Sequence, residues 1–335
     1  MNERVKWIDS LRGFAIVLVI LGHAGIPQTM RIWIYSFHIP LFFFISGYVF
    51  SLKKVNNFKE FLIKKIKGIV IPLICFSFVA VIFDFVYYGL ILKKSTNSEI
   101  VNELIGIPCQ MRTGNYQSLL WFLSCLFVAE IVFYFVVRIG KDKVDKILLL
   151  IMALLAIAFA YIKFIKILLP WAIETSLIAT FFMGIGYILK LNRDVLTVIT
   201  KKYLFGLYLI INIVFTYLNY TVSGKSQVDL IVDKTGNQIL FVISALAGIM
   251  TFVIFFIVFD NIKIISFIGR NSIIFYALSG VVKAIPDIFY YNILHIDPRA
   301  GSVITGLIYL IIQCLVIAPI AILINKRFKF ILGKF

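Results

Sequence analysis

I-L-F-V-I-S-A-L-A-G-I-M-T-F-V-I-F-F-I-V-F runs from residue 239 to residue 259 without one ionisable side chain. A helix packed on a soluble core keeps a polar face, and this stretch has none. Its length suits the hydrocarbon layer of a bilayer, which takes about 20 apolar residues at ~1.5 Å each. Lipid offers no partner to backbone N–H and C=O groups, so such a segment must be a helix. Moving outward in both directions, similar runs appear at 8–26, 33–52, 68–92, 118–139, 147–163, 167–190, 203–220, 264–285 and 301–325. The expected fold is therefore all-α, a polytopic transmembrane bundle of about ten helices forming a single domain over 1–335. Only Lys163 to Lys166 separates the fifth run from the sixth. That leaves a re-entrant hairpin open at this point.

Composition agrees. The chain is 61% hydrophobic and 15% charged, with a mean hydropathy of +1.01, too few charges for a soluble surface of this size. The net charge of +17 does not indicate nucleic acid, because Lys and Arg sit between apolar runs rather than on one polar domain. They concentrate in 4–12, 53–67, 138–146, 190–202, 263–270 and 326–334, and are sparser in the alternating connections. By the positive-inside rule, both termini are expected in the cytoplasm. Arg12 interrupts what would be a signal's apolar stretch, so the first run is expected to be retained. Cys75, Cys109, Cys125 and Cys314 stand singly with no CxxC, which indicates neither a zinc site nor a disulfide framework; no metal is expected. The lysine-rich, alanine-poor composition suggests an AT-rich bacterial genome, and the expected location is the cytoplasmic membrane, crossed many times.

Ionisable residues inside such spans are site candidates. The first two spans hold the most: Asp9, Arg12 and His23 in the first, His38 with Pro40, Ser46 and Gly47 in the second. Arg12 and His23 are eleven residues apart, about 16 Å of helix rise. The second span runs the opposite way, so His38, near its start, falls at the depth of His23. Asp84 and Glu174 come out at similar depth, and either could orient a histidine. Blander readings exist for each: an interfacial histidine, a local Asp9–Arg12 pair on one face, a kink at Pro40, close packing at Gly47. Glu130 and Arg270 are intramembrane candidates with no evident partner. The connection K-K-V-N-N-F-K-E-F-L-I-K-K-I-K (53–67) has an apolar side of Phe58, Phe61, Leu62 and Ile66, which suggests an amphipathic interfacial helix. Its lysines could meet anionic lipid or the phosphates of a cytosolic cofactor.

W-I-D-S-L-R-G-F-A-I-V-L-V-I-L-G-H (7–23) resembles the opening signature of the integral-membrane acyltransferase family 3, an Arg and a His with ten residues between them, opened by an I-D-x-L-R-G run. F-H-I-P-L-F-F-F-I-S-G-Y-V-F (37–50) is similar to that family's second-helix signature, in the form of the fucose 4-O-acetylase-like branch. K-K-I-K-G-I-V-I-P (64–72) resembles the basic run and proline opening its third helix. L-W-F-L (120–123) and G-R-N-S-I-I-F-Y-A-L (269–278) resemble two later patterns. The clear resemblance covers about the first 75 residues and these two patches. It implies an enzyme moving an acyl group, usually acetyl, from a coenzyme A thioester to a hydroxyl of a sugar or surface glycan. Arg12 and His23 would then be central. Ser46 and Gly47 would belong to a structural or active-site turn, and Lys64, Lys65 and Lys67 would contact the acyl-CoA donor. Many members carry arginine at the positions of Lys64 and Lys67, and many carry a histidine where this chain has Ser279.

The catalytic candidates are His23, His38 and Glu174. Donor contacts fall to Arg12, Lys64, Lys65 and Lys67, with Asp9, Ser46, Gly47 and Trp121 as support. A histidine suits removal of a proton from a hydroxyl as it attacks a thioester. A basic rim suits an anionic donor. Two other readings of the same scaffold stand beside this one: a transporter or exporter of a small molecule or glycan, and a non-catalytic membrane partner.

Overall fold

The computed structural model describes residues 6–334 apart from 54, 93–95, 113–119, 261, 296 and 298–300. Arg4 and Lys54, two of the orienting cations, lie outside the described residues. In chain order the helices are α1 Lys6–His23, α2 Gln28–Tyr35, α3 His38–Val49, α4 Phe58–Lys65, α5 Ile71–Asp84 and α6 Asn97–Cys109. They continue with α7 Trp121–Gly140, α8 Val144–Phe164, α9 Ile173–Leu191, α10 Arg193–Ile199, α11 Leu204–Val222 and α12 Gln238–Val258. The last are α13 Lys263–Arg270, α14 Ser272–Val282, α15 Ala284–Ile288 and α16 Val303–Arg327. Nine described helical segments are long and apolar enough to cross a membrane. α1 is a further apolar helix whose first two turns carry Lys6, Asp9 and Arg12. The protein is a polytopic bundle of helices.

The contacts divide the chain into two compact units. One comprises Met1–Tyr48, Leu189–Leu230 and Lys234–Ala321; the other comprises Val49–Ile188, Ile231–Asp233 and Ile322–Phe335.

In the first unit, α1 and α13 cross with backbone against backbone. A Cβ added at Gly13 would overlap the carbonyl oxygen of Ile265, and one added at Gly269 would overlap that of Asp9. Ser10 Oγ and Ser266 Oγ share a hydrogen bond of 2.7 Å in the same crossing. Small residues let helices approach this closely where lipid provides no hydrophobic drive. The L-R-G and G-R-N-S patches are therefore the two faces of one contact. Asn271 ends α13 with a kink, so the span begins at Ser272 and reaches Tyr291. The expected span 264–285 is displaced towards the C-terminus, and Arg270 is an exposed residue at the end of the short helix that precedes the span.

The second expected span is broken. α2 stops at Tyr35, Ser36 and Phe37 form a turn, and α3 starts at His38. Pro40, in the first turn of α3, has no N–H to give and would clash with the preceding helical turn. Ser36 Oγ donates instead to the carbonyl of Trp33 at 2.8 Å, a local bond that competes with helix propagation. Asn212 of α11 staples the break. Its Oδ1 accepts from Trp33 Nε1 at 2.6 Å, and its Nδ2 donates to Ser244 O at 2.8 Å and to Ser36 Oγ at 3.3 Å. Gly248 of α12 leaves room for the turn, since a Cβ there would come within 2.8 Å of Phe37 Cβ.

In the second unit the basic connection is not a separate interfacial helix. α4 is capped by Asn57, which accepts from Glu60 N at 2.9 Å, and runs through a π turn at Ile66–Val70 into α5 as one span, Phe58–Ile91. The π turn lies just ahead of Pro72, where the wider turn absorbs the amide that proline lacks. α8 and α9 are each long enough to cross a membrane. The segment between them is the short turn ending in Pro170–Ala172, so two full spans stand where a re-entrant hairpin was open.

Candidate active site

α1 is uninterrupted from Lys6 to His23, so Arg12 and His23 keep the separation of about 16 Å that helix rise dictates. Asp9 is buried and Arg12 half-buried at one end of α1; His23 is exposed at the other. His38 is buried at the break between α2 and α3. Its Nδ1 lies 2.8 Å from the carbonyl oxygen of Ile34. A carbonyl only accepts, so Nδ1 carries the proton and Nε2 presents its lone pair. The same carbonyl also accepts from Phe37 N at 3.3 Å, so the ring is an additional donor at the break.

Tyr35 connects the two histidines. Its ring centroid is 4.9 Å from that of His38, and its edge lies against Gly22, where a Cβ would come within 3.0 Å of Tyr35 Cε2. His23 is the next residue. The two imidazoles are within electrostatic range of each other, and Arg31 and Lys283 are within such range of His23. The α1–α2 connection around this end is fixed by α16: Thr305 Oγ1 donates to Gly25 O at 3.1 Å, and Tyr290 donates to Thr305 O at 2.8 Å. Leu18, Leu21, Ala24, Ile26, Ile34 and Phe37 form the apolar floor. Tyr35 thus touches His38 on one side and Gly22, the residue before His23, on the other.

Other candidates are placed differently. Glu174, read from depth as a partner for a histidine, pairs with Arg112 and also accepts from Leu169 N at 2.9 Å. Arg112 is itself fully buried and donates to Thr175 Oγ1 at 2.6 Å and Asp233 Oδ1 at 3.1 Å. Depth is only one coordinate, and the nearest cation took the acid. Glu130 finds its partner in Lys65, at 2.8 Å. Lys65 Nζ also lies over the rings of Phe50 and Phe61, 5.6 and 5.4 Å from their centroids. Its charge is paired with Glu130 within the bundle. Lys64 is exposed and paired with Glu60 at 2.8 Å, and Lys67 is exposed in the π turn. Asp84 ends α5 within electrostatic range of Glu103. Ser46 and Gly47 lie within the last turn of α3 and not in a loop. Trp121 is buried as the first residue of α7, its carbonyl accepting from Ser124 Oγ at 2.7 Å. Among the described residues, no three His, Cys, Asp or Glu side chains gather as metal ligands.

Sequence reading passed over Tyr35, Arg31, Asn212 and Arg112. Asn212 could have been found by extending the search from ionisable to amide side chains within spans, since both need partners in lipid.

The signature that joins Arg12 to His23 now has its geometry: an uninterrupted α1, with Gly13 against α13 and His23 at the end where Tyr35 packs. The family model described as "Acyltransferase domain", that of acyltransferase family 3, matches residues 5–326. The chain belongs to this family. It is a multi-pass membrane acyltransferase. The match extends the resemblance from the first spans and two patches to nearly the whole acyltransferase. No match to it was found among curated proteins or among solved structures.

Proposed function

We propose that the protein is an O-acetyltransferase of a bacterial cytoplasmic membrane, moving acetyl from acetyl-CoA to a hydroxyl of a sugar in a surface glycan. The 37–50 stretch, similar to the fucose 4-O-acetylase-like branch, favours such an acceptor. The observation that carries the reading is the histidine pair. An exposed His23 follows Gly22, against which Tyr35 packs, and the same Tyr35 ring meets a His38 whose Nδ1 lies at Ile34 O. The acceptor oxygen attacks the thioester carbonyl carbon as His23 takes the hydroxyl proton. The C–S bond then breaks, and coenzyme A leaves as a thiolate that is reprotonated. His23 has the role of general base because an acceptor can reach it. His38, buried with Nε2 unprotonated, holds a lone pair close by. Arg12 is too far from His23 along the helix to touch the same atom. It and the exposed Lys64 and Lys67 are assigned to the anionic donor, with both termini on the cytoplasmic side.

Mass spectrometry of surface glycans from cells with and without the protein tests this. An acetyl mass should disappear with the gene and return with the wild-type copy. Glycans of unchanged mass, together with purified protein that leaves labelled acetyl-CoA unconsumed in the presence of those glycans, would overturn it.

A further inference from the structure

Arg31 lies in the first turns of α2, and its guanidinium reaches back across the connection to the end of α1. Nη2 donates to the carbonyl of Ala24 at 3.1 Å, which sets the positive charge one residue from His23. Its Nε is buried and has no hydrogen-bond partner. Among the described residues no carboxylate lies within ion-pair distance of Arg31, whereas the buried Arg112 is paired with Glu174 and Asp233, and Lys65 with Glu130. Asp229 is an acid within electrostatic range of Tyr35 at this end. Lys283 is exposed at the C-terminus of α14, a helix packed on α1. A guanidinium cannot give up its proton, and a half-buried charge without a counter-ion is costly. The N–H groups of a guanidinium form a planar fork that suits the paired oxygens of a carboxylate or phosphate.

We propose that Arg31, with Lys283, is an anion-binding subsite for the acceptor, so that the hydroxyl compound acylated at His23 carries a carboxylate or phosphate. The word acceptor rests on the acyl-transfer reading; the anion subsite does not. A neutral sugar would offer the Arg31 guanidinium only hydroxyl oxygens, while an anionic one would neutralise its charge and be held with its hydroxyl towards His23.

The test measures binding without donor, using the full chain in nanodiscs and titration calorimetry. The probes are glucose, glucuronate, glucose 6-phosphate and coenzyme A. Both anionic sugars should bind about tenfold or more tighter than glucose, the factor of one charge-assisted hydrogen bond. Their order separates carboxylate from phosphate. Arg31→Gln should erase that preference, and Arg31→Lys, which keeps the charge, should retain part of it. Thermal melting of each variant reports whether it has folded. Glucose binding as tightly as the anions, or no binding of either anion at tens of millimolar, would overturn the proposal. So would an Arg31→Gln variant that loses coenzyme A affinity while its sugar preference is unmoved. Loss of acetyl transfer with the anion preference intact counts against the acetyltransferase reading and not against this subsite.

Discussion

A single proton decides the chemistry of the His23 and His38 pair. His38 Nδ1 is committed to Ile34 O, so in the neutral ring its other nitrogen is an acceptor, while His23 at the end of α1 is exposed. Replacing His23 by Ala should lower acetyl transfer by at least the 10²- to 10⁴-fold typical of a general base, with coenzyme A binding retained. Replacing Arg12 by Ala should instead impair donor binding or folding, because Arg12 sits about 16 Å away along a rigid helix. Transfer rates and calorimetric donor affinities on the same preparations check both outcomes. Near-normal transfer by His23→Ala would falsify the site. At this scale the sequence was legible where one helix and a short connection fixed the answer, as for the two histidines. It misled where depth alone had to choose a partner, as for Glu174, since three helices can present acids at one depth and only packing selects among them.

Between elements, the α1–α13 crossing has no slack. Gly13 and Gly269 each face a backbone carbonyl with no room for a methyl group, so neither carbonyl can move aside as a flexible side chain would. Gly13→Ala or Gly269→Ala should sharply lower the yield of folded protein and its melting temperature. Ser10→Ala removes only the hydroxyl pair with Ser266 and should cost about 0.5–1.5 kcal/mol, unless the remaining hydroxyl is left unsatisfied. Yield by size exclusion and melting in detergent would rank them. A second prediction concerns α6, outside the spans. Burial, then the charges of Asp84 and Glu99, push the Glu103 carboxyl up to about 7. The folded state therefore holds a proton that the unfolded chain releases from about pH 4.5 upward, so the α6 region loses stability as pH rises through 7. Hydrogen exchange of α6 should quicken between pH 5 and 8, beyond its intrinsic rate increase (~10-fold per unit is subtracted), and Glu103→Gln should flatten the dependence. The apolar runs gave the elements themselves away, because lipid admits only helices. Breaks were harder to see: Pro40 was visible as a kink, but the two-residue turn before it depends on Asn212 and Gly248, far away in sequence.

For the whole molecule, the family match and the recurring apolar runs describe one membrane acyltransferase, while the donor assignment rests on charge. The π turn keeps Lys64 and Lys67 exposed at the head of a long span. The C-terminal segment returns to this place, with Gly333 against the carbonyl of Lys67, bringing along a stretch that carries Lys329 and Lys334. Replacing Lys64 and Lys67 together by Gln should weaken coenzyme A binding while expression and topology are unchanged. Unaltered donor affinity in purified protein would remove these lysines from the donor site. Lys65→Gln should behave differently, lowering stability by leaving Glu130 buried without its cation. The break between α2 and α3 also contains its own optical gauge. Trp33 donates its indole N–H to Asn212 and meets Phe37 edge-on at 5.2 Å, so its emission colour follows the geometry of the turn that holds His38. The chain has four tryptophans; with Trp7, Trp121 and Trp171 replaced by phenylalanine, fluorescence from the remaining indole would let the opening of this joint be followed in real time as donor and acceptor arrive.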